Sequence, residues 1–153
     1  MLHAPKVVKV VKVPLTLLPL SLELVEEAVT AWQPPGPQVR STPRRRAVIP
    51  IWRRPWMHLG SDTYAGDVLR RLGVDNVLSD SPERYPKLRL EQLPEVDLVV
   101  LPDEPYLFTE TDGPESFPDK PCALVSGRFL TWYGPAMVEA PQALLASLRA
   151  ALI

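Results

Sequence analysis

Apolar positions along this chain cluster in two ways. Four short runs are almost continuously apolar and rich in β-branched residues: AVIPIW (47–52), NVL (76–78), DLVVLP (97–102) and CALVS (122–126). Runs of that kind are expected for strands buried on both faces. A fifth, KVVKVVKV (6–13), is strand-like despite its lysines. Between these runs, apolar residues recur at helical spacing. Ser21 is placed as an N-cap, after which Leu22, Val25, Val29 and Trp32 share one face, with Glu23, Glu26 and Glu27 mostly off it. In SDTYAGDVLRRLG (61–73), Ser61 or Asp62 caps a helix with Tyr64, Val68, Leu69 and Leu72 on its apolar face, and Gly73 stops it. LEQL (90–93) fits one helical turn, and GPAMVEAPQALLASLRAALI (134–153) closes the chain as a helix. Pro135 suits the first turn of that helix, whereas Pro141 should kink or break it. Alternation of such strands and helices predicts an α/β fold: a three-layer, doubly wound parallel sheet forming a single Rossmann-like lobe.

The pattern is interrupted once, by QPPGPQVRSTP (33–43), where prolines and a glycine forbid regular structure. The organisation read from this is a strand–helix segment over 1–32, a proline-rich linker over 33–46 and an α/β lobe over 47–153. A length of 153 residues suits one domain with a core of its own. The 19 prolines concentrate in the connections and imply stiff loops. A net charge of −1 gives no reason to expect nucleic acid, and Arg44, Arg45 and Arg46 read as the solvated end of the linker. With Cys122 as the one cysteine, an internal disulfide is excluded and a thiolate metal cage is not expected; Cys122 itself reads as a small core residue. No run is long and apolar enough to span a membrane. At the start of the chain, Lys9 and Lys12 interrupt the valines, Pro14 and Pro19 the leucines, and no small-residue cleavage site follows. That stretch does not read as an export signal, and as written the chain reads as cytoplasmic.

The chemistry is concentrated in aromatic residues. Trp52 and Trp56 follow the first strand of the lobe, Tyr106 and Phe108 follow strand 97–102, and Phe129, Trp132 and Tyr133 follow strand 122–126. In open parallel sheets ligands bind beyond the carboxyl ends of the strands, and these ends all lie on one edge. Seven rings of roughly 150–250 Å² each make on the order of 1,000 Å² of mostly apolar surface, more than a monomer leaves exposed. The edge is therefore expected to hold the largest concave surface, covered by a flat apolar ligand, by a second copy of the chain as a homodimer, or by the chain's own 103–120 loop. Arg53, Arg54, His58, Asp103, Glu104 and Arg128 fall at the same edge. Acid–base work by Asp103 or Glu104 beside His58 is conceivable. Against it, there is no nucleophile elbow, no phosphate-binding glycine loop and no spaced nucleophile and base. With His3 and His58 as the only histidines, neither a resident metal nor a cofactor is expected. The reading is binding, not catalysis.

From Ala47 onward the chain resembles the C-terminal lobe of the helical-backbone periplasmic binding proteins, the cobalamin and ferric-siderophore receptors of ABC importers. WRRPWMHLGSDTYAGDVLRRLGVDNV (52–77), RYPKLRLEQL (84–93), DLVVLPDEPYLFTE (97–110) and SGRFLTWYG (126–134) carry the likeness. The resemblance implies two α/β lobes joined by one long helix, with a corrinoid, siderophore or haem between aromatic walls. On this lobe it assigns the wall to Trp52, Arg54, Trp56, Tyr106, Phe108, Phe129, Trp132 and Tyr133. It matches Glu91 to an acidic position that docks on the ABC transporter permease; a solvated acid at a helix start is the plainer account of the same residue. It further implies a periplasmic or cell-surface setting. Set against the family, the 1–32 segment reads as a remnant of the first lobe, with residues 6–32 as its last strand and following helix and the long helix reduced to the QPPGPQ linker; a half-cleft is expected to hold a ligand weakly. The alternative to a ligand-binding module is a non-binding remnant, or an interaction domain that uses the aromatic edge as its interface.

Overall fold

The computed structural model describes residues 18–33 and 43–153. The strand expected over 6–13 and most of the linker lie outside them. The described chain contains helix α1 (Leu18–Ala31), strands β1 (Arg45–Val48), β2 (Pro50–Arg53) and β3 (Trp56–His58), helix α2 (Tyr64–Arg71), strands β4 (Val74–Asn76), β5 (Leu98–Pro102) and β6 (Cys122–Val125), and helices α3 (Gly127–Thr131) and α4 (Ala136–Ala150). Four strands form a parallel sheet in the order β4-β1-β5-β6.

The period of two along each strand sorts the core into two halves. Ala47, Ile49, Leu98, Val100, Ala123 and Val125 face Val68 and Leu69 of α2, Leu130 of α3, and Ala140, Leu144 and Leu148 of α4. Val48, Val99 and Leu101 face the other way, onto Leu78, Phe108 and Phe117 with Leu88, Leu90 and Leu93 at the margin. A right-handed crossover changes face when the chain reverses direction along a sheet. The β1–β4 crossover, through α2, thus lies on one face, and the β4–β5 and β5–β6 crossovers lie on the other. The lobe is doubly wound in topology, but its layers are unequal: the second face is covered by loops and the short turns Leu90–Gln92 and Pro114–Ser116.

Several boundaries differ from expectation for local reasons. The run 47–52 is not one strand, because Pro50 has no N–H to continue a parallel ladder. The chain leaves the sheet there, and β2 turns back on β3 as an antiparallel hairpin with Trp52 opposite Met57 and Arg53 opposite Trp56. The cap of α2 is Thr63, not Ser61 or Asp62. Asp62 sits at φ 51°, which sets Thr63 in extended geometry with its hydroxyl accepting from Gly66 N–H at 3.1 Å. The strand expected at 76–78 is shifted to 74–76. Asn76 donates to the Leu59 and Gly60 carbonyls and accepts from Leu78 N–H, which turns the chain. Ser126 ends β6 by capping α3, a helix that the pattern had not revealed. Cys122 is half-buried on an edge strand rather than enclosed.

Pro141 neither ends nor interrupts α4. Its missing N–H frees the Met137 carbonyl four residues earlier, and the Trp32 indole N–H donates to that oxygen at 2.8 Å. This bond fastens α1 to α4. The rest of the α1 stripe does not join the core, since Leu22, Val25 and Val29 are exposed.

Candidate functional site

Where strand order reverses, between β1 and β5, the carboxyl ends of a parallel sheet open a crevice. Here β1 leads into the β2–β3 hairpin and β5 into the 103–117 loop, so both segments rise from that point. Beside them β6 leads into α3 and the 132–134 corner.

The hairpin register separates the two tryptophans. Residues opposite one another share a face, so Trp52 goes with Met57, and Trp56 with Arg53 on the reverse. Trp52 is exposed and meets Tyr106 edge-on, with ring centroids 5.5 Å apart. Trp56 turns inward. Its ring lies parallel to those of His58 and Phe108, 6.3 Å from each, and meets Phe117 edge-on at 5.7 Å. Phe108 is 3% exposed and lies beneath Tyr106, 4.7 Å away. Phe129 packs against the helical half of the core. Trp132 and Tyr133 are 58% and 74% exposed. The Trp132 indole N–H donates to Glu104 Oε2 at 3.2 Å, while Tyr133 meets Tyr64 edge-on at 5.0 Å. Trp52 and Trp132 therefore flank one loop, attached two residues apart at Tyr106 and Glu104. Arg54 is exposed at the hairpin turn and forms no ion pair with any described residue. Glu91 is exposed on the 90–92 turn.

The rings thus divide into outer ones (Trp52, Tyr106, Trp132 and Tyr133) and inner ones. The apolar area left open is well below the seven-ring total, because the 103–117 loop covers the inner side of the hairpin. Two open hollows, of about 440 and 420 Å³, lie elsewhere, between α1 and α4 and beside β6 against the end of α4.

His58 is not at the surface with the carboxylates. It is fully buried, and its Nε2 lies 3.0 Å from the Leu88 carbonyl, which can only accept, so Nε2 carries the proton. Nδ1 then faces the core without a partner. Burial lowers the pKa of His58, partly offset by the bond to Leu88, so the ring is neutral. Asp103 instead accepts from Gly127 N–H at 2.6 Å. The acid–base grouping of His58 with Asp103 or Glu104 is not assembled. Among the described residues no cluster of His, Cys, Asp and Glu is arranged to hold a metal ion.

Three acceptors that pattern reading did not single out complete the site. Arg53 pairs with Asp112 and Glu115, donates to Ser116 Oγ at 3.1 Å, and lies 5.5 Å from the centre of the Trp56 ring. Glu115 is held below the ordinary carboxylate range: burial would raise it, but the Gly113 N–H and the Arg53 guanidinium outweigh that effect. These partners lie 59 to 63 residues from Arg53. The sequence signal for them was the Asp-Gly-Pro turn at 112–114, which marks a bend but not its partner.

Solved structures share this fold. The chain superposes on the periplasmic vitamin B12 binding protein BtuF of Vibrio cholerae with a TM-score of 0.62 at 14% identity, covering 86% of this chain and 52% of that one. It superposes on the periplasmic heme-binding protein BhuT, solved with two hemes, with a TM-score of 0.65 at 20% identity, covering 86% and 56%. The fold is that of a periplasmic binding-protein lobe. An ABC-type Fe3+-hydroxamate transport system protein from Saccharomonospora viridis matches at a TM-score of 0.52 and 16% identity, over 83% of this chain and 47% of that one. The chain spans about half the length of the structures it matches. Their names describe binding and transport, not catalysis. No protein-family model and no curated protein matches the chain. No described helix of the lobe is long and apolar enough to cross a membrane.

Proposed function

We propose that this lobe supplies one wall of a binding cleft for a flat metal chelate: a corrinoid, a haem or a ferric siderophore. The observation that carries this reading is the set of outer rings at the carboxyl edge: exposed Trp52 against Tyr106, and exposed Trp132, tied to Glu104, next to exposed Tyr133. Flat rings offer large contact area at little conformational cost. Trp56 and Phe108 support Tyr106 from the core side, Phe129 anchors the segment before Trp132 on the helical half of the core, and Arg54 offers a cation at the rim for an acidic substituent. A ligand needs a second wall to bury most of its surface. That wall belongs to a partner segment of similar size, because the matched structures have about as much chain again. In such an assembly the protein would work outside the cytoplasmic membrane as the receptor of an ABC importer, and Glu91, exposed on its short turn, would dock on the permease.

Titration of the purified chain with hemin and with cyanocobalamin tests this reading by tryptophan quenching and by the visible spectrum of the ligand. Removing two of the four outer rings in Trp132→Ala/Tyr133→Ala should cost ~2 kcal/mol of binding, about 30-fold in Kd. The thermal midpoint should be nearly unchanged, since both side chains are exposed. If neither ligand quenches the tryptophans, or if the double variant binds as the parent does, the edge is instead an interface for another protein.

A further inference from the structure

We infer that Arg53 and Asp112 form a latch that fixes Tyr106 and, through it, Trp52, so that this part of the wall is set before any ligand arrives. The consequence for ligand affinity rests on the proposed binding function; the latch itself does not.

The hairpin and the 103–117 loop rise from different strands. No backbone hydrogen bond joins residues 50–58 to residues 103–117. Every side-chain hydrogen bond between the two segments comes from Arg53, to Asp112, Glu115 and Ser116. Apolar contacts of Trp56 with Phe108 and Phe117 hold the segments together but leave their relative position loosely defined, because dispersion and burial have little directionality. A planar guanidinium fork satisfies several acceptors in fixed directions, which an ammonium does not. The Arg53 side chain is 17% exposed, while Asp112 and Glu115 are 40% and 47% exposed, so the shielding is on the guanidinium side of each pair.

Asp112 passes this constraint on. One carboxylate oxygen takes Arg53, and the other accepts the Tyr106 hydroxyl at 2.7 Å. Asp112 is itself held from the backbone: its N–H donates to Thr109 Oγ1 at 3.1 Å, and its carbonyl accepts from Thr109 N–H at 3.0 Å. The ring of Tyr106, tethered at its hydroxyl, stands edge-on to Trp52. Both ends of the chain Arg53–Asp112–Tyr106–Trp52 belong to the hairpin, so it closes a loop of contacts around the rim. Arg53 is thus a positioning residue; Arg54, its exposed neighbour, has no part in the latch.

The test combines a ligand-free readout with a ligand-dependent one. In Arg53→Met, amide hydrogen exchange over residues 109–116 should rise about tenfold, as expected for losing hydrogen bonds to charged groups, while residues 98–101 exchange as in the parent. Arg53→Lys, with the charge but not the fork, should recover only part of the protection. Hemin affinity should fall about tenfold in Arg53→Met and by a similar factor in Tyr106→Phe, and the double variant should be no weaker than Arg53→Met alone. If Arg53→Met does not fold, Asp112→Asn takes its place with the same expectations. Parent-like exchange over 109–116, or affinity losses that multiply in the double variant, would overturn the latch. If the parent binds cyanocobalamin but not hemin, the affinities are read with cyanocobalamin; if it binds neither, the proposed function falls and the exchange measurement alone decides the latch.

Discussion

Gly127→Ala sets two known effects against each other at the point where the β5 and β6 loops meet. Gly127 is buried at the first position of α3, and its N–H is held by Asp103. Alanine is the better helix former by up to about 1 kcal/mol, though only part of that is available at the end of a short helix. Against this, a methyl group at Gly127 would lie 2.7 Å from Glu104 Cβ, 2.8 Å from its nitrogen and 3.0 Å from its carbonyl oxygen. Optimal carbon contacts are about 3.5–4.0 Å, so the overlap is roughly 0.7 Å or more. Two of the three atoms are backbone, and no change of rotamer relieves the clash. Overpacking of this sort costs about 1–3 kcal/mol. The steric cost wins, and the variant should be less stable by ~1–2 kcal/mol, a fall of roughly 3–10 °C in Tm. Urea unfolding followed by tryptophan emission gives the free energy. Moving Glu104 also separates it from Trp132, so hemin affinity should drop in the same variant. An unchanged or raised unfolding midpoint would refute the reasoning and show that the 103–105 segment yields without cost.

The buried histidine makes stability depend on pH. Its folded pKa lies below the ordinary value of 6.5, so the native state binds fewer protons than the unfolded chain. Its contribution is whole above pH 6.5 and is lost as pH falls below that value toward the folded pKa, with a slope of up to about 1.4 kcal/mol per pH unit. In His58→Phe, which keeps a ring against Trp56, denaturant midpoints should lose that slope between pH 6.5 and 5.5; an identical slope in parent and variant would assign the effect to other groups. A double-mutant cycle tests the helix contact. Trp32→Phe should cost ~1 kcal/mol in the parent, where Pro141 has no N–H to offer the Met137 carbonyl, and much less in Pro141→Ala, where the helix supplies one. Equal costs in both backgrounds would mean that the indole contributes by packing alone.

Much of this molecule was legible along the chain because it depends on local pattern. The almost uninterrupted apolar runs ending at Pro102 and Ser126 pointed to parallel strands, fully buried in β5 and half-buried on the edge strand β6, and their carboxyl ends fixed where Tyr106, Phe108 and the 129–133 aromatics would emerge. The likeness carried by the motifs of residues 52–134 pointed to the binding-protein fold that the solved structures share. Spacing alone also put Leu22, Val25 and Val29 on one side of α1, but it did not say whether anything covers that side. Within the described residues nothing buries it.

The division of labour among the aromatics was decided in three dimensions. Trp52 and Trp56 look equivalent in sequence, and only the hairpin register sends one outward and the other into the core. A shift of one residue in pairing would put both on the same face, and strand periodicity carries no information about that choice. His58 reads as a surface base until the 84–88 segment closes over it. Arg53 and Arg54 are indistinguishable as neighbours in a row. What separates them is the pair of carboxylates at Asp112 and Glu115, about sixty residues away, which the fold brings to one guanidinium and not to the other. Charge attraction depends on distance in space, and sequence order does not record it.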